Sequence, residues 1–237
     1  MRELPDKSID MILCDLPYGI TKNKWDRSIS FEKLWEAYKR IIKSRGVIAL
    51  FGQGKFYLNL VSGNRQWFRY DLIWGKGHPT GFLNARRMPL RRHEQIAIFY
   101  EHLPKYRPQY TQGKPPLHSC GTAYYQKEAT NRNYGKFCRK NDDRAGSTER
   151  FPTSILKFAK NPSNAMHPTE KPVELLEYLI RMYTDENDVV LDNCIGSGST
   201  ALACIGTNRK FIGYEITEEY YAIARERIEQ AKRRIKM

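Results

Sequence analysis

Short apolar segments alternate with amphipathic segments along most of the chain. The apolar run at residues 8–14 predicts a strand. The stretch 31–44 predicts a helix, because Leu34, Trp35, Tyr38, Ile41 and Ile42 fall on one helical face. The same alternation predicts strands at 47–51, 68–74, 95–100, 189–192 and 211–215, helices at 55–62, 172–183 and 198–205, and a basic C-terminal helix capped by Thr217. Strands that alternate with helices indicate an α/β fold with a doubly wound, mostly parallel, Rossmann-like sheet.

One region of the chain breaks this alternation. Residues 80–160 contain runs such as KYRPQYTQGKPPLHS, which show no helical or strand periodicity and are rich in Pro, Gly, Asn and Tyr. They hold 16 Lys/Arg and 6 Asp/Glu, and so carry +10 of the net charge of +14. A charge excess of this size favours a polyanionic partner. We therefore expect a basic, irregular insertion on the α/β scaffold.

The overall composition excludes several classes of protein. Hydrophobic residues make up 41% of the 237 residues, which is enough for a core and argues against a disordered chain. No apolar run approaches the roughly 20 residues of a membrane-spanning helix, and no signal-peptide pattern opens the chain. Five cysteines without a CxxC pair argue against a disulfide framework or a metal site, and favour a reducing compartment such as the cytoplasm.

A glycine-containing turn follows a strand near the C-terminus, in the segment VVLDNCIGSGSTALAC at 189–204. The strand ends at Asp192, Gly196 and Gly198 form the turn, and a helix begins. Glycines let a ligand approach the backbone, and a helix start offers N–H donors. Glu215, at the end of the next strand, can accept hydrogen bonds from ribose hydroxyls. Without a GK[ST] ending or a third glycine, ATP and dinucleotides are disfavoured and a nucleoside is favoured; the alternative is an ordinary turn and a solvated carboxylate.

A second candidate site follows the first predicted strand, in the segment DLPYG. Ligands of open α/β sheets bind at the carboxyl ends of strands, which is where this segment lies. Asp15 and the backbone carbonyl of Leu16 can accept two amine hydrogens, Pro17 stiffens the turn, and Tyr18 can stack on a planar ring. The alternative is an ordinary turn after a strand.

A third segment, HPTEKP at 167–172, opens a predicted helix. Lys171 and the start of this helix can lie against a carboxylate ligand. The alternative is a plain helix cap, with His167 in a structural role.

In this order, the three segments resemble the beta-class amino-methyltransferases of DNA, which use S-adenosylmethionine. That family carries a [DSN]PP[YFW] tetrapeptide, a variable target-recognition region, an HPTxKP segment and a DxxxGxG turn. Here these are DLPY at 15–18, the basic stretch near 80–160, HPTEKP, and DNCIGSGST at 192–200. WGKG at 74–77 and HEQIAIFYE at 93–101 also resemble the family's middle strands, and the DNxxGSGST form resembles enzymes of phages and mobile elements.

The resemblance divides the methyltransferase fold into three parts. Residues 1–100 are the expected catalytic half, 101–160 the target-recognition insertion and 161–237 the cofactor-binding half. The chain departs from the family pattern at Leu16, where the family usually has Pro, but the role of this position uses the backbone. Family members also usually begin with a further strand and a GDC-like segment, whereas this chain starts just before ELPDKSID, so we expect a strand or a cofactor contact to be missing.

The resemblance implies methyl transfer from S-adenosylmethionine to the N6 amine of adenine in double-stranded DNA, with the base flipped out of the helix. Relatives with Asp first in the tetrapeptide mostly methylate adenine and those with Ser first mostly cytosine, so Asp15 favours adenine. The alternatives are a cytosine-N4 methyltransferase, an enzyme acting on RNA, and a truncated DNA-binding remnant without activity. No membrane partner and no metal are expected, and a homodimer is an expectation from some relatives.

The resemblance also assigns site residues. The catalytic positions are Asp15, Leu16, Pro17 and Tyr18. The positions expected to hold the cofactor are Asp192, Asn193, Gly196, Ser197, Gly198, Ser199, Thr200, Glu215, Lys171 and Thr169. The charged and aromatic positions expected to contact DNA, each with a solvated surface role as its alternative, are Arg86, Arg87, Arg91, Arg92, Tyr124, Tyr125 and Arg132.

Overall fold

The computed structural model of the chain describes residues 1–19, 29–113, 128–131, 133, 135–138, 147–159 and 170–236. The chain divides into two compact units. One consists of Met1–Arg107 and Thr153–Met237, and the other is Pro108–Pro152. The predicted Thr169, Tyr124, Tyr125 and Arg132 lie outside the described residues.

The secondary structure of the described residues alternates much as the sequence pattern predicts. The strands are β1 (Ile9–Cys14), β2 (Ile42–Gly52), β3 (Phe68–Thr80), β4 (Arg91–Phe99), β5 (Thr111–Gln112), β6 (Glu128–Asn131), β7 (Gly135–Cys138), β8 (Glu149–Arg150), β9 (Ile155–Lys157), β10 (Val189–Asp192) and β11 (Lys210–Gly213). The α-helices are α1 (Phe31–Ile41), α2 (Gly54–Ser62), α3 (Val173–Tyr183), α4 (Ser199–Gly206) and α5 (Glu218–Lys236).

The larger unit is built on a seven-stranded sheet with the strand order β11-β10-β1-β2-β4-β3-β9. Neighbouring strands are parallel except where β4 pairs antiparallel with β2 and with β3. Six of the seven strands therefore run in one direction. The predicted α/β fold with a mostly parallel, Rossmann-like sheet is confirmed.

Both faces of the sheet are covered, which explains the nearly continuous apolar sequence of the central strands. Alternate residues of β1 point to opposite faces. Met11 and Leu13 pack in a cluster with α3 and α4, whereas Ile12 and Cys14 pack with α1 and α2. In α1, the residues that the periodicity placed on one face are buried: Leu34, Trp35, Tyr38 and Ile41.

Several element boundaries differ from the predicted ones because of long-range pairing. Helix α1 ends at Ile41 rather than at residue 44, since Ile42 takes an extended conformation and pairs with Ile9 of β1. Strand β11 ends at Gly213 rather than at residue 215, because its only neighbour in the sheet, β10, ends at Asp192, the partner of Gly213. Strands β3 and β4 extend beyond the predicted 68–74 and 95–100, to Thr80 and back to Arg91.

The smaller unit contains two short antiparallel pairs, β5 with β8 and β6 with β7. The rings of Tyr110 and Phe151 pack edge to face, with centroids 5.2 Å apart. This unit spans Pro108–Pro152, within the stretch 101–160 that the sequence assigned to an insertion. Strand β9, which falls in that same stretch, pairs instead with β3 in the main sheet.

Candidate active site

The predicted site segments meet at one edge of the main sheet. Asp15 directly follows β1, Asp192 ends the neighbouring strand β10, and Glu215 lies two residues beyond β11. Because these three strands are adjacent and parallel, their carboxyl ends lie side by side. This edge is where open α/β sheets bind their ligands.

The glycine turn between β10 and α4 requires its two glycines. Gly196 and Gly198 have φ angles of 53° and 89°, in the left-handed region that disfavours residues with a Cβ. A Cβ on Gly198 would also lie 3.1 Å from the Cβ of Ala224 in α5. The turn therefore presents bare backbone and the first N–H groups of α4 at the sheet edge.

Asp192 holds the inside of this turn together. Its Oδ1 accepts a hydrogen bond from the Cys194 N–H (3.0 Å), and its Oδ2 accepts one from the Thr200 hydroxyl (2.6 Å). Asp192 is buried, and burial raises the pKa of its carboxyl group to about 6 although both hydrogen bonds oppose the shift. Asp192 thus shapes the turn from within.

Glu215 closes the turn from the other side. One carboxylate oxygen accepts the Gly196 N–H (2.9 Å) and the other accepts the Thr217 N–H (2.8 Å). Ile216, next to it in the chain, is 92% exposed. Ile216 was not predicted as a site residue, because its only signal in the sequence is its place next to Glu215.

The remaining predicted cofactor residues also surround the turn. Arg227 of α5 pairs with Glu170 (2.8 Å) and donates to the Ser197 carbonyl (2.8 Å), and the Ser199 hydroxyl donates to Glu170 (2.8 Å). Asn193 accepts a hydrogen bond from the Tyr38 hydroxyl. The structure therefore brings all described residues of the predicted cofactor group together, except Lys171.

Lys171 lies at Asp15 rather than at the glycine turn. Its ammonium group contacts Asp15 Oδ2 directly and lies 3.3 Å from Glu94 Oε2, and Lys76 pairs with the other oxygen of Glu94. We call the resulting row of alternating charges, Asp15, Lys171, Glu94 and Lys76, the charge row. Its members come from four separate parts of the chain. The sequence pattern placed Lys171 against a ligand carboxylate, whereas both of these contacts are with carboxylates of the protein.

The charge row is largely withdrawn from water. Lys171 is 8% exposed and Glu94 7%. Burial lowers the pKa of Lys171, but Asp15 and Glu94 outweigh it and raise that pKa above its ordinary value, so the ammonium stays charged. Burial also raises the pKa of Glu94, but the two lysines outweigh it and hold that pKa below its usual value. For Asp15, burial and the charge of Glu94 prevail over Lys171 and the pKa is raised.

Tyr18 is oriented by two contacts. Its hydroxyl donates to Asp15 Oδ1 (2.9 Å), and its ring packs on Phe56 with centroids 4.5 Å apart and planes 30° apart. Burial raises the pKa of Tyr18 well above its ordinary value, so the hydroxyl remains a donor. Leu16 is buried beneath this turn. Phe56, Glu94 and Lys76 were not predicted as site residues, since nothing in the sequence near them indicates their partners.

The four predicted arginines that lie within the described residues occupy one segment. Arg86 and Arg87 are exposed between β3 and β4, and Arg91 and Arg92 begin β4. Arg92 donates to the Gly77 carbonyl across the two strands (3.1 Å).

Among the described residues, no group of three or more His, Cys, Asp or Glu side chains could hold a metal ion. No helix in the described part of the chain is long and apolar enough to cross a membrane.

Comparison with known proteins matches this chain to DNA methylases. Residues 9–226 match the N6_N4_Mtase family model, described as DNA methylase. The type II methyltransferase M.HpaI of Haemophilus parainfluenzae is 26% identical over 97% of this chain and 71% of its own length. M.BglII of Bacillus subtilis is 28% identical over 94% of this chain and 64% of its own length. The DNA adenine methyltransferase YhdJ of Escherichia coli is 23% identical over 98% of this chain and 80% of its own length.

Solved structures share the fold. The complex of M1.HpyAVI with SAM superposes with a TM-score of 0.61 at 22% identity, covering 96% of this chain and 90% of that one. The cytosine-N4-specific PvuII DNA methyltransferase superposes with a TM-score of 0.64 at 16% identity, covering 99% and 88%. At these identities the likeness concerns the fold.

Proposed function

The chain belongs to the N6/N4 family of DNA methylases, and on that premise we propose that it methylates the N6 amine of adenine in double-stranded DNA. S-adenosylmethionine is the methyl donor of this family. The observation that carries the proposal is Asp15, a half-buried carboxylate directly after β1, held between the Tyr18 hydroxyl and the Lys171 ammonium. The resemblance also favours a homodimer, which we include as a proposal.

The target amine is a poor nucleophile because its lone pair is delocalised into the ring of the base. Asp15 and the Leu16 carbonyl would each accept a hydrogen bond from one N–H of the amine. This favours a pyramidal nitrogen with an available lone pair. Each carboxylate oxygen can accept more than one hydrogen bond, so the contacts of Asp15 with Tyr18 and Lys171 leave room for the amine. Groups held in place before the reaction stabilise the charge that develops at the nitrogen.

Lys171 and Phe56 would prepare this site for the base. The Lys171 ammonium opposes the rise in the pKa of Asp15, so the carboxylate is kept able to accept hydrogen bonds. Phe56 supports the ring of Tyr18, which can stack on a flipped base and contribute roughly 1–3 kcal/mol. Neither residue would contact the reacting methyl group, so both are positioning residues.

The residues around the glycine turn fit the methyl donor. A carboxylate such as Glu215 suits the two ribose hydroxyls, the exposed Ile216 offers an apolar surface to the adenine ring, and the bare backbone of Gly196–Gly198 suits the amino-acid end. When bound, S-adenosylmethionine supplies a methyl group on a positively charged sulfur. Asp192 would act indirectly, by holding the turn in shape.

The choice of adenine rests on Asp15, because the family includes enzymes for both amines. Relatives with Asp in the first position of the tetrapeptide mostly act on adenine. The second candidate is a cytosine-N4 methyltransferase, because the chain also shares its fold with the cytosine-N4-specific PvuII enzyme.

Product analysis tests the proposal directly. The purified chain is incubated with plasmid DNA and S-adenosylmethionine carrying a labelled methyl group, and the DNA is digested to nucleosides for mass spectrometry. We expect labelled N6-methyldeoxyadenosine. The variant Asp15→Ala should yield none and keep its affinity for S-adenosylmethionine in calorimetry, because Asp15 faces the base. The exposed Asp6→Ala is the matched control and should behave as the parent.

Two results would overturn parts of the proposal. Labelled N4-methyldeoxycytidine as the product would replace adenine by cytosine. A parent chain that binds DNA but shows no heat of binding with S-adenosylmethionine would be a DNA-binding remnant without activity.

A further inference from the structure

Strands β3 and β4 project beyond the core as an arm, which we define as residues 75–93. The two strands are paired at Gly75 with His93 and again at Thr80 with Arg91, after an irregularity. Every residue from 77 to 90 is exposed. The tip of the arm is therefore accessible to a binding partner.

The tip has a hydrogen-bonded backbone turn and exposed apolar side chains. Gly81 (φ 90°) begins a short 3₁₀ helix, Phe82–Asn84, which is followed by hydrogen bonds from the Arg87 and Met88 N–H groups to the Asn84 carbonyl (2.8 and 3.0 Å). The exposed fractions of its large apolar side chains are 77% for Phe82, 84% for Leu83, 58% for Met88 and 40% for Leu90. Apolar surface kept in water on an ordered turn marks a binding surface.

The charge of the arm selects a polyanionic partner. Residues 75–93 contain five Lys/Arg and no Asp or Glu. Arginines favour phosphates because their guanidinium groups can bind two phosphate oxygens at once. A basic surface with projecting apolar side chains suits duplex DNA, since proteins insert such side chains between base steps and hold the flanking phosphates.

The position of the arm relative to Asp15 favours the same partner. Lys76 and Glu94, at the base of the arm, belong to the charge row that ends at Asp15. With a rise of about 3.4 Å per residue, the pair Thr80 and Arg91 lies about 10–14 Å farther along the strands. A duplex held there would be beside the site that receives a flipped base.

We propose that Phe82 and Leu83 form a wedge that enters the base stack next to the flipped adenine, while Arg86 and Arg87 hold the adjacent phosphates. The wedge would fill the space left by the base and slow its return. This inference rests on the proposed function, since a flipped base is needed only if the chemistry takes place on it. Nothing in the three sequence segments that resemble the family assigns a role to these two apolar residues.

The test compares paired DNA with DNA that is already open. The methylated site is first mapped by sequencing plasmid DNA treated with the parent chain. Short duplexes carrying that site are then made in two forms, one fully paired and one with an abasic site opposite the target adenine. The double variant Phe82→Ala/Leu83→Ala should lose about 10- to 100-fold in kcat/KM on the paired duplex, because unstacking costs a few kcal/mol. On the abasic duplex it should approach the parent.

The controls separate a wedge from a general binding role. Leu58→Ala removes an equally apolar side chain that is 64% exposed on α2, and should change neither rate. The wedge variant should keep its affinity for non-specific DNA within about threefold, because phosphate contacts carry that affinity. Equal losses on both duplexes, or parent-level activity on the paired one, would overturn the wedge.

A readout that does not need catalysis distinguishes failure of the wedge from failure of the proposed function. Permanganate oxidises unstacked thymines in plasmid DNA bound by the protein. The parent and the Asp15→Ala chain should both create reactive thymines, and the wedge variant should not. Reactive thymines without methylation would contradict the proposed function alone, and methylation without them would contradict the wedge. Binding of the arm to anionic phospholipid vesicles that requires Phe82 and Leu83, with no effect on DNA, would assign it to a membrane surface instead.

Discussion

Lys171 is a buried lysine surrounded by two carboxylates and two aromatic rings. Its ammonium group lies between Asp15 and Glu94, 4.9 Å from the ring centroid of Phe51 and 5.9 Å from that of Trp74. A buried cation is retained only where charges compensate it, and here two carboxylates do so. The protonation state of Asp15 therefore depends on Lys171 as well as on burial.

We expect Lys171→Met to shift the pH dependence of methylation. The ionised carboxylate of Asp15 is a much stronger acceptor of the amine hydrogen bond than the neutral carboxyl, so activity falls as the pH drops through the pKa of Asp15. Without the ammonium group, burial and the Glu94 charge raise that pKa further, and the acid limb of kcat/KM should move to higher pH. Lys105→Met, which removes a lysine on the surface, is the control and should leave the limb in place. An equal loss of activity at every pH would indicate a purely structural role.

At the scale of elements, the turn between β10 and α4 combines strained backbone with a buried carboxylate. Its two positive φ angles and its close approach to α5 hold bare backbone at the sheet edge. Asp192, which organises the turn, has its pKa raised from 3.8 to about 6 by burial. A raised pKa means that the folded chain favours the protonated carboxyl, so this group stabilises the fold below about pH 4 and that contribution is lost as the pH rises through 6.

We expect Asp192→Asn to stabilise the chain at neutral pH. The shift from 3.8 to about 6 corresponds to about 3 kcal/mol of destabilisation above pH 6. Asn can still accept the Cys194 N–H and can donate to the Thr200 hydroxyl. In urea unfolding, the free energy should rise by about 1–3 kcal/mol at pH 7.5 and change little near pH 4. The exposed Asp6→Asn serves as control, and a change of equal size at both pH values would contradict the account.

In the molecule as a whole, residues 80–160 carry +10 of the net charge of +14. The arm carries five of the positive charges and leads away from the charge row. The unit Pro108–Pro152 lies within the region that the sequence assigned to target recognition, and that role remains a prediction. If the arm binds DNA as proposed, its charges would supply affinity for phosphates that does not depend on the base sequence.

The affinity for non-specific DNA should fall steeply with salt. The slope of log Kd against log salt should reflect about 0.9 per phosphate contact, so Arg86→Gln/Arg87→Gln should reduce it by about 2. Lys210→Gln, at the opposite edge of the sheet where β11 begins, should leave it unchanged. Fluorescence anisotropy on a short duplex measures both. If the arginine variant leaves the slope unchanged, the arm does not contact DNA phosphates.

Local sequence patterns were enough to predict the α/β class and the strand ends at which the candidate site lies. Apolar periodicity is local, so it predicted the central strands and α1. It also placed Asp15, Asp192 and Glu215 at the ends of predicted strands, and in the structure these strands are adjacent and parallel, so their ends lie at one edge. The glycines of the turn could be recognised because their need for positive φ is a property of single residues.

Which side chains meet depends on contacts between distant parts of the folded chain. Lys171 is 156 residues from Asp15 in the chain, and no local pattern links them or indicates that Glu94 and Lys76 extend the row. The length of the β3–β4 arm was likewise hidden, because exposed residues beyond Trp74 show no apolar alternation and are held in strands by pairing alone. Periodicity records which residues face the core, whereas pairing between distant charges and between strands depends on how the whole chain folds.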